Sequence, residues 1–229
     1  MSLRVLSYNL HRWGDDRTAL ARVVRACAPD VMLVQEAPTW FGSRRKRRAM
    51  AATFGLRYVG ASARNAILVA DGIHVTGIRA RRIWRPFVRR RLNLIATQLP
   101  GGAVGGVLRI GDTRLAVVVC HLGLHPRGRL HELAQVLTLC RSFGTPYLLA
   151  GDINEEPDGP VWKRLAEEGL NDLGHAPTFS STNPHKRIDG AYLSPEVIGR
   201  LCHIPATGED LAAASDHLPL LIEITSSCG

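Results

Sequence analysis

The sequence lacks the segments that would place it across a membrane or direct its export. No apolar run reaches the ~18 uninterrupted residues that a membrane helix needs, and the start Met1-Ser2-Leu3-Arg4 has none of the three parts of a signal peptide. The five cysteines are odd in number and include no Cys-x-x-Cys pair, so we expect reduced thiols. Together these absences predict a cytoplasmic protein that does not span a membrane.

Motifs of several enzyme classes are missing as well. The histidines show no His-Glu-x-x-His spacing, which disfavours a common type of zinc site. A Gly-x-Ser-x-Gly motif is absent, and this weakens a serine-hydrolase interpretation. The glycine-rich segment 100–106 is not followed by the Lys-Ser/Thr pair of a phosphate-binding loop. We predict that this segment forms a flexible turn.

The composition is that of a globular protein with a strong positive charge. Its 229 residues, 45% hydrophobic and 21% charged, can bury a full core and show no shift that would mark a linker, so we predict one domain over residues 1–229. The net charge of +9 suggests affinity for polyanions. Lysine occurs only at Lys46, Lys163 and Lys186, so nearly all of the basic residues are arginine. A genome base composition that favours arginine codons is therefore an alternative explanation of this charge.

The basic residues are concentrated in two clusters. One is Arg44–Arg48, and the other is Arg79–Arg91, which includes Trp84 and Phe87. Such clusters predict contact with the phosphate backbone of a nucleic acid, although a solvated surface is the alternative. The two aromatic residues offer stacking surfaces for bases, and peripheral contact with a membrane is a less favoured possibility.

The apolar pattern predicts an α+β fold of two sheets faced by helices. The predicted helices are Thr18–Ala26, Arg44–Phe54, Arg129–Arg141 and Val161–Glu168. The predicted strands are Leu3–Asn9, Asp30–Gln35, Tyr58–Ala61, Ala66–Ala70, Val75–Ile83, Leu92–Leu99, Val107–Ile110, Leu115–Cys120, Tyr147–Ala150, Ile188–Leu193 and Leu218–Ile224. Gly and Asp turns between the central strands favour hairpins over crossover helices.

Polar side chains follow several of these apolar runs, where functional residues often gather. They are Asn9, Glu36, His121, Asp152, Asn154, Asp216 and His217. These residue types can hold a hard divalent cation through oxygen and move a proton beside it. Each also has a simpler interpretation, such as a surface turn at Glu36, a satisfied strand-end imidazole at His121, or a helix cap at Asp216.

Two pairs of residues suggest a shared chemistry. Asp152 and Asn154 alternate across Ile153, so an extended segment points both to one side; the alternative is an Asx turn. An imidazole that acts on a substrate needs a group to fix its tautomer, and Asp189 is the best candidate for that role beside His217.

Seven short motifs, taken in order, resemble those of the endonuclease/exonuclease/phosphatase superfamily. They are Leu6-Ser7-Tyr8-Asn9, Val34-Gln35-Glu36, Asn65-Ala66-Ile67-Leu68, His121-Leu122-Gly123, Gly151-Asp152-Ile153-Asn154, Arg187-Ile188-Asp189 and Ser215-Asp216-His217. The resemblance implies a four-layer α/β/β/α sandwich of two mixed sheets flanked by helices. It also implies a requirement for Mg²⁺ or Mn²⁺, with Glu36 as the main metal ligand and Asn9 and Asp216 beside the ion.

The resemblance further implies roles for the remaining polar residues. Asp152 and Asn154 would position the attacking water and the phosphate, and His121 would polarise a phosphoryl oxygen. His217, paired with Asp189, would act as a base or stabilise the transition state. Three residues are expected to contact the substrate, namely Asn65, Arg127 and Arg187, although a solvated helix start is the alternative at Arg127.

These features predict a Mg²⁺-dependent enzyme that hydrolyses phosphodiester bonds, most simply a nuclease acting on DNA or RNA. One alternative is a phosphatase or phosphodiesterase for phospholipid or inositol-phosphate headgroups, and another is a catalytically silent binding domain. The segment Val119-Cys120-His121-Leu122-Gly123 replaces the Tyr-x-Pro-Asn of abasic-site endonucleases, so that branch is disfavoured. Gly190 replaces an aromatic residue that is common after the aspartate.

Overall fold

The computed structural model describes residues 2–39, 41–83, 101–110, 113–174 and 176–225. The helices in these ranges are α1 Arg17–Cys27, α2 Ser43–Thr53, α3 Pro126–Ser142, α4 Pro160–Glu167 and α5 Gly208–Ala214, with a short 3₁₀ turn at His11–Trp13. The strands are β1 Ser2–Asn9, β2 Val31–Gln35, β3 Arg57–Ser62, β4 Asn65–Val69, β5 Val75–Ile83, β6 Gly101–Ile110, β7 Thr113–His121, β8 Tyr147–Asp152, β9 Asn171–Asp172, β10 Asp189–Leu193, β11 Ile198–Cys202 and β12 Leu220–Thr225. The predicted strand Leu92–Leu99, Trp84 and Phe87 lie outside the described residues.

The strands form two six-stranded sheets. The first has the order β11-β12-β1-β2-β4-β3 and the second has the order β5-β6-β7-β8-β10-β9. In each sheet one central pair is parallel, β1 with β2 and β7 with β8, and the other described pairs are antiparallel. Both sheets are therefore mixed, as the family resemblance implied.

Helices cover the outer face of each sheet. Leu20 of α1 and Met50 of α2 share an apolar cluster with strand residues of the first sheet, and Leu133 of α3 and Trp162 of α4 do the same against the second sheet. A third cluster lies between the sheets. The predicted four-layer α/β/β/α sandwich is confirmed. No helix in the described part of the chain has both the length and the apolar character to cross a membrane.

The strand β2 shows why its first four residues are all apolar. All five of its residues are buried. Val31 and Leu33 point into the cluster between the sheets, and Met32 and Val34 point into the cluster beneath α1 and α2. Burying each such side chain contributes about 1.5–3 kcal/mol to stability. A polar residue at any of these four positions would lose that contribution.

The linker after β1 is fixed by the start of α1. The Asp16 carboxylate accepts hydrogen bonds from the backbone N–H groups of Thr18 and Ala19, at 2.7 and 3.1 Å, and these bonds lower the pKa of Asp16. At the outer surface Arg22 forms an ion pair with Asp210 of α5. The cap fixes where α1 begins, and the ion pair attaches α1 to α5.

The prediction of a flexible turn at 100–106 is wrong, because Gly101–Ile110 forms the strand β6. The glycines there leave room for neighbouring side chains. A Cβ at Gly105 would lie 2.8 Å from the Phe143 ring, and a Cβ at Gly106 would lie 2.4 Å from Val75. The short elements β9, β11 and α5 were also missed by the sequence pattern.

Candidate active site

The ends of four strands meet at one edge of the sandwich. In the second sheet, His121 lies opposite Asp152 in the parallel pair of β7 and β8, and Asp152 lies opposite Asp189 in the antiparallel pair of β8 and β10. In the first sheet, Asn9 ends β1 opposite Gln35. The strand register thus brings polar residues of both sheets to one place.

A buried cluster of three titratable groups lies at this edge. His217 Nδ1 is 2.8 Å from Asp189 Oδ2, and His217 Nε2 is 3.8 Å from Asp152 Oδ2. One ligand atom from each of the three residues lies within 4.8 Å of the others. Because Asp189 holds Nδ1, the Nε2 atom of His217 faces Asp152.

Burial and mutual charge set the ionisation of this cluster. Burial and the nearby Asp189 carboxylate raise the pKa of Asp152 to about 8. Burial alone would lower the pKa of His217, but the hydrogen bond and the charge of Asp189 outweigh it and raise that pKa to about 9. Asp189 therefore favours the protonated form of the His217 imidazole, while burial and Asp189 disfavour the charged form of Asp152.

Neighbouring side chains fix the position of the His217 ring. Ser215 Oγ donates a hydrogen bond to the Asn9 carbonyl at 2.7 Å and accepts one from the His217 N–H at 3.3 Å. On one side, the Phe179 ring lies 5.1 Å from the imidazole, measured between ring centroids. The segment 215–217 is in this way attached to the end of β1.

Asn154 and His121 flank Asp152. The Asn154 N–H donates to Asp152 Oδ1 at 2.9 Å, and its side chain donates to the Leu122 carbonyl at 2.8 Å. The Asx turn that was an alternative is therefore present, and it places Asn154 next to Asp152. His121 Nε2 is 3.4 Å from Asp152 Oδ2.

Glu36 and Asp216 form the second, more open part of the site. Glu36 Oε2 lies 3.5 Å from Arg12 Nε and 3.5 Å from Arg64 Nη1. Asp216 Oδ2 lies 3.8 Å from His11 Nε2. The other oxygen of Asp216, Oδ1, is buried and has no hydrogen-bond partner in the described ranges.

This part of the site fits a hard divalent cation. Asp216 Oδ1 lies 4.0 Å from His217 Nε2, which is too far for a hydrogen bond, and a buried carboxylate oxygen without one is costly unless a cation or donor satisfies it. Glu36, Asp216 and the Asn9 amide offer only oxygen ligands on this side, the ligand type that Mg²⁺ and Mn²⁺ prefer. The predicted ligands are therefore chemically suited to such an ion.

The three predicted substrate contacts have different environments. Asn65 is buried and donates to the Gly102 carbonyl at 2.6 Å, while its Oδ1 has no hydrogen-bond partner among the described atoms. The Arg187 guanidinium pairs with Asp172 and lies 4.4 Å above the Trp162 ring. The Arg187 guanidinium is thus held by Asp172 and Trp162.

Arg127 is exposed in the first turn of α3. The structure shows it no hydrogen bond or ion pair with another described residue. Arg129, two positions on, forms a buried ion pair with Glu155 at 2.9 Å. Neither guanidinium is held at the cluster of Asp152 and His217.

Four residues near the site were not identified from the sequence, namely His11, Arg12, Arg64 and Phe179. His11 and Arg12 follow Asn9 directly, and Arg64 precedes Asn65, so adjacency to predicted site residues was the available signal. Phe179 had no such signal, because only the folded loop places it against His217.

Comparison with known proteins supports the family resemblance. A family model described as "Endonuclease/Exonuclease/phosphatase family" matches residues 6–217. A search of the curated proteins gives no match. Many solved structures have the same fold.

Three of these structures show that proteins with different names share this fold. The Bacteroides thetaiotaomicron mannosyl-6-phosphatase is 17% identical, with a TM-score of 0.74 over 98% of this chain and 100% of that one. ANGEL2, a 2',3'-cyclic phosphatase, is 14% identical, with a TM-score of 0.77 over 98% and 95%. The human Nocturnin catalytic domain is 14% identical, with a TM-score of 0.70 over 98% and 94%. At these identities the likeness shows the fold alone.

Proposed function

The chain belongs to the endonuclease/exonuclease/phosphatase family of phosphoesterases, and from this premise we propose that it hydrolyses phosphodiester bonds with the help of a divalent cation. One observation carries the proposal. Asp152 Oδ2 lies at the centre of three groups, accepting from Asn9 at 3.0 Å and facing His121 and His217 at 3.4 and 3.8 Å. An Asp152 oxygen at the meeting point of two sheets can accept a hydrogen bond from a water while the neighbouring donors bind the phosphoryl oxygens.

We propose Glu36, Asn9 and Asp216 as the residues that hold Mg²⁺ or Mn²⁺. When bound, the ion would neutralise charge that develops on the phosphoryl oxygens. The trio of Asp152, Asp189 and His217 is also close enough to surround an ion. We assign it to proton handling instead, because Asp189 and His217 already bind each other at 2.8 Å.

Each of the remaining site residues has a separate role at the reacting phosphate. Asp152 accepts a hydrogen bond from the attacking water and orients it, and Asn9 fixes the Asp152 carboxylate. Asn154 and His121 donate to non-bridging oxygens. His217, whose protonated form Asp189 favours, donates from Nε2 to the oxygen on which negative charge develops, so we favour transition-state stabilisation over base catalysis for this residue.

Nucleic acid is the substrate class that we propose, and α2 supports it. Four residues of this helix are exposed, carry positive charge and have no acidic partner among the described residues: Arg44, Arg45, Lys46 and Arg48. Phe41, just before the helix, is 96% exposed. Unpaired cations beside an exposed aromatic ring suit a single strand, whose phosphates and bases they would contact.

A chain of contacts connects α2 with the site. Arg47 is buried and donates to the Ala63 carbonyl. The next residue, Arg64, pairs with Glu36, and its carbonyl accepts from the Ala37 N–H at 2.8 Å. The second basic cluster gives the nucleic-acid proposal less support. Arg79 already donates to the Ser142 carbonyl, and residues 84–91 lie outside the described part of the chain.

Hydrolysis of a chromogenic bis-aryl phosphodiester with Mg²⁺, Mn²⁺ or EDTA tests the catalytic proposal. Turnover should require a metal and should fall at least a hundredfold in Glu36→Gln, with folding intact. Glu196→Gln removes an exposed carboxylate elsewhere and should retain activity. Metal-independent turnover, or full activity in Glu36→Gln, would reject the proposed site.

Salt dependence tests the nucleic-acid proposal. Cleavage of a single-stranded oligonucleotide should fall steeply between roughly 50 and 200 mM salt, because a bound polymer releases counterions and a small ligand does not. Cleavage of the bis-aryl diester should change little. Replacing Arg44 and Arg45 by Gln should flatten only the oligonucleotide slope. Equal slopes for both substrates would favour a small or lipid phosphoester instead.

A further inference from the structure

The turn after β1 has a backbone conformation that side-chain-bearing residues rarely adopt. His11, Arg12 and Trp13 have φ angles of 41°, 61° and 58°, all in the left-handed region. Each such residue costs roughly 1 kcal/mol or more. Three in succession persist only where surrounding contacts hold them.

The contacts that hold this turn lie at its two ends. The Asn9 side chain accepts from the His11 N–H at 3.1 Å. At the other end, the Arg17 guanidinium lies 4.1 Å above the Trp13 ring, and Arg17 Nε donates to the Trp13 carbonyl at 3.3 Å. The turn is anchored on both sides of Arg12, whose backbone is thereby fixed at the edge of the site.

Only one nitrogen of the Arg12 guanidinium contacts another described residue. Its Nε lies 3.5 Å from Glu36 Oε2, and the side chain is 61% exposed. Its two terminal nitrogens have no partner within the described ranges. Arg64, at 22% exposure, contacts the same oxygen of Glu36. Glu36 thus has a more buried cation beside it, and the outer donors of Arg12 face solvent at the mouth of the site.

We propose that Arg12 is a substrate-binding residue whose guanidinium binds a non-bridging oxygen of the phosphoryl group beside Glu36. The planar guanidinium matches phosphate in a bidentate geometry, which Lys cannot reproduce. Because the turn fixes the backbone of Arg12 in advance, less conformational entropy is lost on binding than for an arginine on a mobile loop. This inference rests on the proposed phosphoesterase function and adds a residue outside the predicted site.

A simpler role for Arg12 makes a different prediction. If Arg12 only balances the charge of Glu36, its removal would alter metal binding or folding and leave phosphate binding to the metal-loaded protein unchanged. If it binds substrate, its removal would weaken phosphate binding. Metal affinity would stay the same or rise, because a positive charge has left the neighbourhood of the ion.

Calorimetric titration separates these roles without turnover. Mn²⁺ is titrated into the metal-free protein, and inorganic phosphate is titrated into the Mn²⁺-loaded protein. In Arg12→Gln the dissociation constant for phosphate should rise about tenfold or more, the size expected for a charge-assisted hydrogen bond, and that for Mn²⁺ should be unchanged or lower. Arg12→Lys should be intermediate for phosphate. Lys163→Gln removes an exposed cation of α4 and should match the wild type in both titrations.

Three results would overturn the inference. They are unchanged phosphate affinity in Arg12→Gln, parallel loss of Mn²⁺ and phosphate affinity, and no phosphate binding by the Mn²⁺-loaded wild type. If Arg12→Gln does not fold, the comparison rests on Arg12→Lys, which keeps the charge and loses the planar donor pair. A wild type that binds Mn²⁺ and phosphate but cleaves no diester would refute the proposed function while leaving this inference intact.

Discussion

Asn9 Nδ2 donates a hydrogen bond to Asp152 Oδ2 over 3.0 Å, joining residues that are 143 positions apart in the sequence. Asn9 ends β1 in the first sheet, and Asp152 ends β8 in the second. The bond therefore crosses the interface of the sandwich at the site itself. It makes the geometry of Asp152 dependent on the packing of the two sheets.

Asn9→Ala should lower both stability and activity. Asp152 Oδ2 would lose a buried donor, at a cost of about 1–3 kcal/mol in the free energy of unfolding. Urea unfolding in EDTA measures this cost without a contribution from bound metal. Asn171→Ala, at an exposed strand position, should change the free energy by less than about 0.5 kcal/mol. Equal stability of Asn9→Ala and wild type would show that the bond contributes nothing net.

Asp189→Asn should lower the pKa of His217. In the wild type, Asp189 outweighs the effect of burial and raises that pKa to about 9. Without the carboxylate charge the effect of burial should weigh more and the pKa should fall, although the charges of Asp152 and Asp216 still favour the protonated ring. NMR titration of the His217 ring proton in EDTA measures the change. Asp158→Asn, at an exposed turn, is the control, and an unshifted titration in Asp189→Asn would contradict the assigned pairing.

Stability should also depend on pH through His217. Its folded pKa lies above the ordinary 6.5, so its contribution is fully present below about pH 6.5 and is lost as the pH rises through about 9. The full contribution is on the order of 3 kcal/mol. Urea unfolding in EDTA at several pH values should show a gap between wild type and His217→Gln that shrinks with rising pH. A gap that is constant from pH 6 to pH 9.5 would oppose this prediction.

Much of the fold could be predicted because the burial of each strand determines which of its positions are apolar. A strand such as Val31–Gln35, buried on both faces, is apolar at its first four positions, and its end is marked by the polar residues Gln35 and Glu36. The ends of such strands also indicated which polar residues would lie near one another. The resemblance to the family then implied how the two sheets are arranged.

Side-chain direction and unusual backbone were beyond reach of the same reasoning. Arg187 lies in a family motif, yet its direction depends on Asp172 and Trp162, which are distant in sequence. The left-handed turn at His11–Trp13 contains no glycine that would have signalled positive φ angles. Arg12 was therefore overlooked although it follows Asn9 closely.

The glycines of β6 give a prediction that arises from a sequence interpretation that failed. Glycine is common in turns, but the residue at 105 is glycine because its strand packs under Phe143 and Val118, each of which would lie 2.8 Å from a Cβ added there. Gly105→Ala should therefore cost about 1–3 kcal/mol through overpacking, with a lower midpoint in thermal unfolding. Gly208→Ala, where no atom lies within 4 Å of the added Cβ, should leave the midpoint unchanged or raise it slightly. If Gly105→Ala were as stable as the wild type, the strand would not need glycine for packing, and its glycines would have to be explained by the backbone alone.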